Sequence, residues 1–155
     1  MKRSAFVIAV AVGLLGAARA VAAQTQVLIV SGLGGEPRFT KEFADLSQRL
    51  AGALHTRYGV PDSDVVWLGE AAAARSPHFG GVSNRENIEA AMRRLAARGR
   101  PGAEFALVLI GHGSGADAES KISLPGPDLT AADFERLLAP FINQRVAVLD
   151  LTSAS

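Results

Sequence analysis

His112 closes an unbroken apolar run, Phe105-Ala106-Leu107-Val108-Leu109-Ile110-Gly111, and is followed by Gly113 and Ser114. A second run, Arg145-Val146-Ala147-Val148-Leu149-Asp150-Leu151, leads into Thr152, Ser153, Ala154 and Ser155. An imidazole beside a hydroxyl is the minimum set for base-assisted nucleophilic chemistry, because the ring takes the proton that the oxygen must lose during attack. That chemistry requires both runs to end side by side. In an open sheet of parallel strands the carboxyl ends share one rim, so the pattern predicts that His112 meets Thr152, Ser153 and Ser155. A strand-end histidine also serves as an ordinary structural residue, and that reading stands beside the chemical one.

The elements that must position these tips are legible from periodicity. Gln26-Val27-Leu28-Ile29-Val30-Ser31 reads as a strand buried on both faces. Gly32-Leu33-Gly34-Gly35 turns the chain, and Phe39, Phe43, Leu46, Leu50 and Leu54 then mark one face of a helix. Gly59-Val60-Pro61-Asp62 stops it. Asp64 to Gly69 is a second strand, followed by a loop with Pro77, Gly80 and Gly81. Ser83-Asn84-Arg85-Glu86 has the form of a capping box opening a helix through Ile88, Ala91, Met92 and Leu95. After the His112 tip comes a polar excursion, Gly115 to Pro127. Thr130 and Asp133 start a helix, Leu129 is placed to staple against Phe134, and Pro140 marks its end. Strand and helix thus alternate through four strands, which predicts an α/β fold: an open parallel sheet with helices on both faces and right-handed crossovers.

The first residues read as a separate segment. Lys2 and Arg3 precede an apolar run from Ala5 to Ala18, and small residues follow at Ala18-Arg19-Ala20 and Val21-Ala22-Ala23. These are the three parts of a secretory signal, too short for an ordinary spanning helix, although an uncleaved anchor is the alternative. Residues 1–23 are therefore expected to be cleaved near Ala23, leaving a domain at 24–155 that is periplasmic or secreted. Cleavage removes three bases and no acid, so 16 bases against 15 acids become 13 against 15. A near-neutral chain lacks the clustered base of a nucleic-acid binder, and Arg93, Arg94, Arg98 and Arg100 fit a solvated helix face.

Cysteine is absent from the sequence, which excludes disulfides, thiol nucleophiles and thiolate metal sites. His55, His78 and His112 show no metal-ligand spacing, so neither a metal nor another cofactor is expected. The Gly32-Leu33-Gly34-Gly35 turn invites a nucleotide-binding reading, but Pro37 stands where the dinucleotide fingerprint needs glycine, and Glu70 lies too far along for a ribose ligand. Ser114 fails the nucleophile-elbow register, because His112 and Ala116 occupy the flanking glycine positions.

An apolar strand ending in His-Gly, then a helix and a second apolar strand with a short small-residue tip, resembles the legumain and caspase superfamily of cysteine peptidases. Gly59-Val60-Pro61-Asp62 is similar to the legumain Gly-Ile-Pro-Asp turn, and Asn84 to Leu95 is similar to the helix before the histidine strand. The resemblance runs from Val27 to Ser155 and implies a caspase-like three-layer sandwich. It also implies that His112 is the general base, that Gly113 supplies the oxyanion amide, and that Ser153 stands where the family has its cysteine. Glu36 and Arg38 fall at the interval of the family's histidine-orienting and substrate-reading residues, with Lys41 competing for the place of Arg38.

Serine at position 153 changes the expected chemistry. A cysteine beside histidine is partly thiolate near neutral pH, whereas serine needs a well-oriented base, with Asp150 or Glu36 as the carboxylates that would hold the ring. Three readings follow. The first is an exported, catalytically degenerate domain that binds a peptide or protein partner. The second is a serine-dependent peptidase or esterase using Ser153 and His112, and the third a nucleotide-binding α/β module. The family's sheet continues beyond the nucleophile, so the sequence is also expected to be the amino-terminal part of a longer domain, or a small domain that pairs along an exposed apolar edge.

Overall fold

The computed structural model describes residues 24–154. The expected signal segment and Ser155 lie outside the described residues. Among the described residues no helix is long and apolar enough to cross a membrane.

The chain begins with β1 (Thr25–Ser31), α1 (Pro37–Tyr58), β2 (Val65–Gly69) and β3 (Phe79–Val82), and continues through α2 (Arg85–Arg98) and β4 (Glu104–Ser114). A short hairpin, β5 (Lys121–Ile122) and β6 (Leu129–Thr130), precedes α3 (Ala131–Leu138) and β7 (Arg145–Ala154). The sheet order is β3-β2-β1-β4-β5-β6, with β7 paired to β4 off this path. The four strands read from the sequence are β2, β1, β4 and β7, and they run parallel to their neighbours.

The expectation of a four-stranded parallel sheet is corrected in two places. β3 adds a parallel strand beside β2, formed by Phe79-Gly80-Gly81-Val82, a stretch whose two glycines carry no strand propensity of their own. β5 and β6 add an antiparallel hairpin, two residues in each strand. The result is a mixed and strongly curled sheet, of half-barrel form along its six-strand path. The hairpin takes over the edge of β4 where β1 ends: Ile110 O accepts from the Gly32 amide at 2.9 Å, and two residues on, His112 O accepts from the Ser123 amide at 2.9 Å. Carbonyls two residues apart project to the same strand edge, so β5 continues the place of β1. Gly32 is required there, because a Cβ would lie 2.4 Å from Ser123 O.

Strand alternation sends Val27, Ile29, Trp67, Val108 and Ile110 to one face, where Ala51, Phe43, Leu50 and Leu54 of α1 cover them. Leu28, Val30, Leu68, Leu107 and Leu109 face the other way, against Ile88, Met92 and Leu95 of α2 and Phe134 of α3. Each fully buried side chain of this kind stabilises the fold by about 1.5–3 kcal/mol. Helices thus pack on both faces, as the alternation predicts.

The helix boundaries mostly follow the sequence signals. Gly59 ends α1 in the left-handed conformation at φ 65°. Thr130 and Asp133 form the reciprocal capping box of α3, and Leu129 and Phe134 are buried beside it. The box read at Ser83 is displaced by one residue. Asn84 caps α2 by accepting from the Asn87 amide at 2.9 Å, and the buried Ser83 instead donates its hydroxyl to Ser31 O at 2.7 Å. Asp133 also receives Arg85 of α2 at 3.1 Å. The Arg85 guanidinium and the Thr130 backbone amide hold its carboxyl well below the usual carboxylate range, and the hydrogen bond to Asp133 in turn raises Arg85.

Candidate functional site

β4 and β7 pair in parallel with His112 opposite Ser153 on one rung. The tips therefore meet as the sequence predicts, on the sheet face that carries α1. His112 Nδ1 lies 3.2 Å from Ser153 Oγ, within hydrogen-bond reach of a base and a nucleophile. The rungs beneath continue the same face as Ile110 beside Leu151 and Val108 beside Leu149.

The imidazole is held by aromatic rings. Phe39 meets it at 4.7 Å between centroids and 90° between planes, and Phe43 at 5.2 Å and 68°. Both geometries are the edge-to-face packing that ring quadrupoles favour. Phe39 and Phe43 are one turn apart on α1, so their reach to His112 depends on where that helix starts. Pro37 opens α1 with its φ already fixed. Glu70, at the end of β2, accepts from the Gly34 amide at 2.8 Å and from Thr40 Oγ1 at 2.9 Å, pinning the turn to the first helical residues. Gly34 makes that turn close enough, since a Cβ there would lie 2.2 Å from the Thr40 amide nitrogen.

The residues assigned by resemblance divide. Arg38 lies over the Phe39 ring at 4.2 Å and pairs with Glu36 at 3.0 Å, so both belong to the rim of the aromatic box around His112. Their side chains are 71% and 64% exposed, and an ion pair in water contributes little stability. Lys41 is not part of this rim: it pairs with Asp45 one turn further along α1. Gly113 is buried and stands in register with Ala154 on one side and Ile122 on the other. A Cβ there would meet Thr152 Oγ1 at 3.0 Å and Lys121 O at 3.1 Å.

Neither expected orienting carboxylate reaches His112. Glu36 is turned to Arg38. Asp150 lies on the opposite face of β7, where its Oδ1 accepts from the Thr152 amide at 2.9 Å and the Thr152 hydroxyl at 2.7 Å. Strand alternation is the reason, because residues 150 and 152 share one face and Ser153 projects from the other. Thr152 is therefore not a partner of His112, and Ser155 lies outside the described residues. Among the described residues no carboxylate pairs with His112, and no three histidine or acidic side chains are arranged to hold a metal.

Phe39, Phe43 and Glu70 belong to the site although their roles were not read from the sequence. The aromatic pair read only as the core face of a helix, and Glu70 only as a misplaced ribose ligand. Their signal was an i, i+4 aromatic pair on the helix that follows the strand beside the histidine strand. The same Glu70 contacts bear on the glycine turn, where its carboxylate occupies the Gly34 amide that a phosphate would need.

The chain matches no family model and no curated protein.

Proposed function

We propose that this chain is an exported domain of the legumain and caspase type, in which His112 and Ser153 mark a peptide- or protein-recognition site that does not hydrolyse peptide bonds. The observation that carries this reading is the imidazole itself: it meets Ser153 at 3.2 Å and is packed by Phe39 and Phe43, with no carboxylate behind it among the described residues. A serine hydroxyl needs a base whose other nitrogen is held by a third group. A cysteine at position 153 would need less help, since the thiolate forms before attack. The recognition surface is the rim of Arg38, Glu36 and Phe39 together with the exposed edge of β7. The partner is a peptide or protein segment, with no nucleic acid, metal or other cofactor involved.

The 3.2 Å approach also favours one second reading, a serine-dependent peptidase or esterase with Ser153 as nucleophile and His112 as base. One pair of variants separates the two. The wild-type protein is expected to resist a fluorophosphonate probe. Ser153→Cys places the chain's sole thiol beside His112, and it is expected to react with iodoacetamide at neutral pH at least about tenfold faster than a free cysteine, an excess removed by His112→Ala. Wild-type labelling lost in Ser153→Ala would replace the first reading with the second. A Ser153→Cys thiol no faster than free cysteine would remove the legumain-like assignment altogether.

A further inference from the structure

The reverse side of the strands that carry His112 and Ser153 holds a cleft of about 510 Å³ that the proposed function does not use. Alternation turns Leu109 of β4 and Val148, Asp150 and Thr152 of β7 toward it, and Phe134, Glu135 and Leu138 of α3 form its other wall. Its volume falls within the range of small-molecule sites, and its character is also theirs, an apolar floor with a few polar groups at the rim. The floor joins two core residues, Leu109 and Phe134, both 7% exposed, to the half-exposed Val148 of β7 and the partly buried Leu138.

Three charged side chains line the cleft, the carboxylates of Asp150 and Glu135 and the ammonium of Lys121. Asp150 is fixed through a single oxygen, Oδ1, by the Thr152 amide and hydroxyl. Its second oxygen has no partner among the described residues, nor does the Glu135 carboxylate. The lysine at the rim, Lys121, is engaged by Asp128 at 3.1 Å. An apolar floor bounded by two carboxylates, with its one cation already paired to Asp128 outside the cleft lining, selects a ligand with an apolar body and a positive group. Burying the body gains hydrophobic free energy, and the ammonium supplies the charge-assisted hydrogen bonds that the carboxylates lack.

We propose that this cleft is a binding site for a small hydrophobic amine, with Leu109, Val148, Phe134 and Leu138 receiving the apolar part and Asp150 and Glu135 the ammonium. The preset Asp150 carboxylate is the feature that distinguishes the cleft from an apolar gap. The site lies on the face opposite the His112 imidazole, so its occupancy does not depend on what His112 and Ser153 do.

Titration of the isotopically labelled full chain with n-hexylamine tests the proposal, with n-hexanol and hexanoate as neutral and anionic counterparts of the same body. Hexylamine is expected to give saturable amide shifts at Leu109, Phe134 and Thr152, with affinity about tenfold or more above either counterpart. Asp150→Asn is expected to remove most of that preference. Glu135→Gln, on an exposed helical surface, should weaken it without risk to the fold. Hexanol binding as tightly as hexylamine, affinity unchanged in both variants, or shifts that never saturate at millimolar amine would each overturn the proposal. So would capture of a basic peptide with no binding of the free amine. Probe labelling at Ser153 is unaffected by any of these outcomes.

Discussion

β1 and β7 flank the same strand, run parallel to it and are both continuous apolar runs, yet they end in opposite environments. In β1, Val27, Leu28, Ile29 and Val30 are at most 3% exposed, because α1 covers one face and α2 the other. In β7, Val146, Val148, Leu149 and Leu151 are 42–55% exposed, and among the described residues the strand pairs only along its β4 side. Apolar pattern alone therefore specifies suitability for an interior, while burial depends on what covers each face. The candidate site sits on this boundary. His112 belongs to the covered half, fixed by α1, and Ser153 to the open half.

Truncating one side chain in each strand separates the covered half from the open half. Leu28→Ala, at a fully buried position, should cost about 2–5 kcal/mol, as truncations in packed cores do. Leu151→Ala removes a side chain that is 55% exposed and should cost under about 1 kcal/mol. Urea denaturation of both variants measures the pair. Equal losses would mean that β7 is covered in solution, for example by a second chain along its edge.

Two acids divide in the same way. Glu70 bonds residues 36 and 30 positions away, Gly34 and Thr40, whereas among the described residues Asp150 bonds only Thr152 on its own strand. Glu70→Ala leaves the Gly34 amide without its charged acceptor and is expected to cost about 1.5–3 kcal/mol. It should also shift the His112 ring resonances, because Glu70 ties the turn to the first residues of α1, which carry Phe39. Asp150→Ala should leave those resonances in place. His112 shifts that respond to Asp150 and not to Glu70 would reverse the assignment of the rigid half.

Asp133 belongs to the covered half and predicts an acid limb. Its carboxyl is held below its unfolded value by Arg85 and Thr130, so the stability it contributes is complete above the unfolded carboxylate range, near pH 4. That stability is lost as pH falls from there through the folded value. Denaturation midpoints measured from pH 6 down to pH 2 should fall more steeply for wild type than for Asp133→Asn, with the two curves converging at the acid end. Parallel curves would mean that α3 is not clamped to α2 through this pair.

How much was legible in the sequence follows the distance over which each feature is decided. α1 and the Thr130 box are written in spacings of three and four residues, and both form where expected. The His112 and Ser153 approach was also readable, because parallel tips share a rim and the register puts the two on one rung. β3, β5 and β6 were not, since two to four residues acquire strand character only from the neighbour they meet. The expected orienting role of Asp150 failed on strand parity, a one-residue matter that turns a side chain to the other face. Lys41 and Arg38 were separable only once α1 was in place, with Arg38 over Phe39 and Lys41 a turn away with Asp45.

The smallest effect concerns how the covered half is closed. Ser83 and Asn84 are adjacent, and the sequence pattern favours Ser83 as the cap of α2, but the two side chains have different tasks. Asn84 accepts from the Asn87 amide, so Asn84→Ala should cost about 1 kcal/mol and speed hydrogen exchange in the first turn of α2. Ser83 donates to Ser31 O at the tip of β1, so Ser83→Ala should cost a similar amount while leaving that first turn protected, because the unpaired group is a strand carbonyl and not a helix amide. The exchange pattern distinguishes the variants even where their stabilities do not. Faster exchange at Asn87 in Ser83→Ala would restore the capping box at Ser83 and remove the tie between β1 and α2. With that tie goes part of the reason why β1 is closed at its end while β7 stays open.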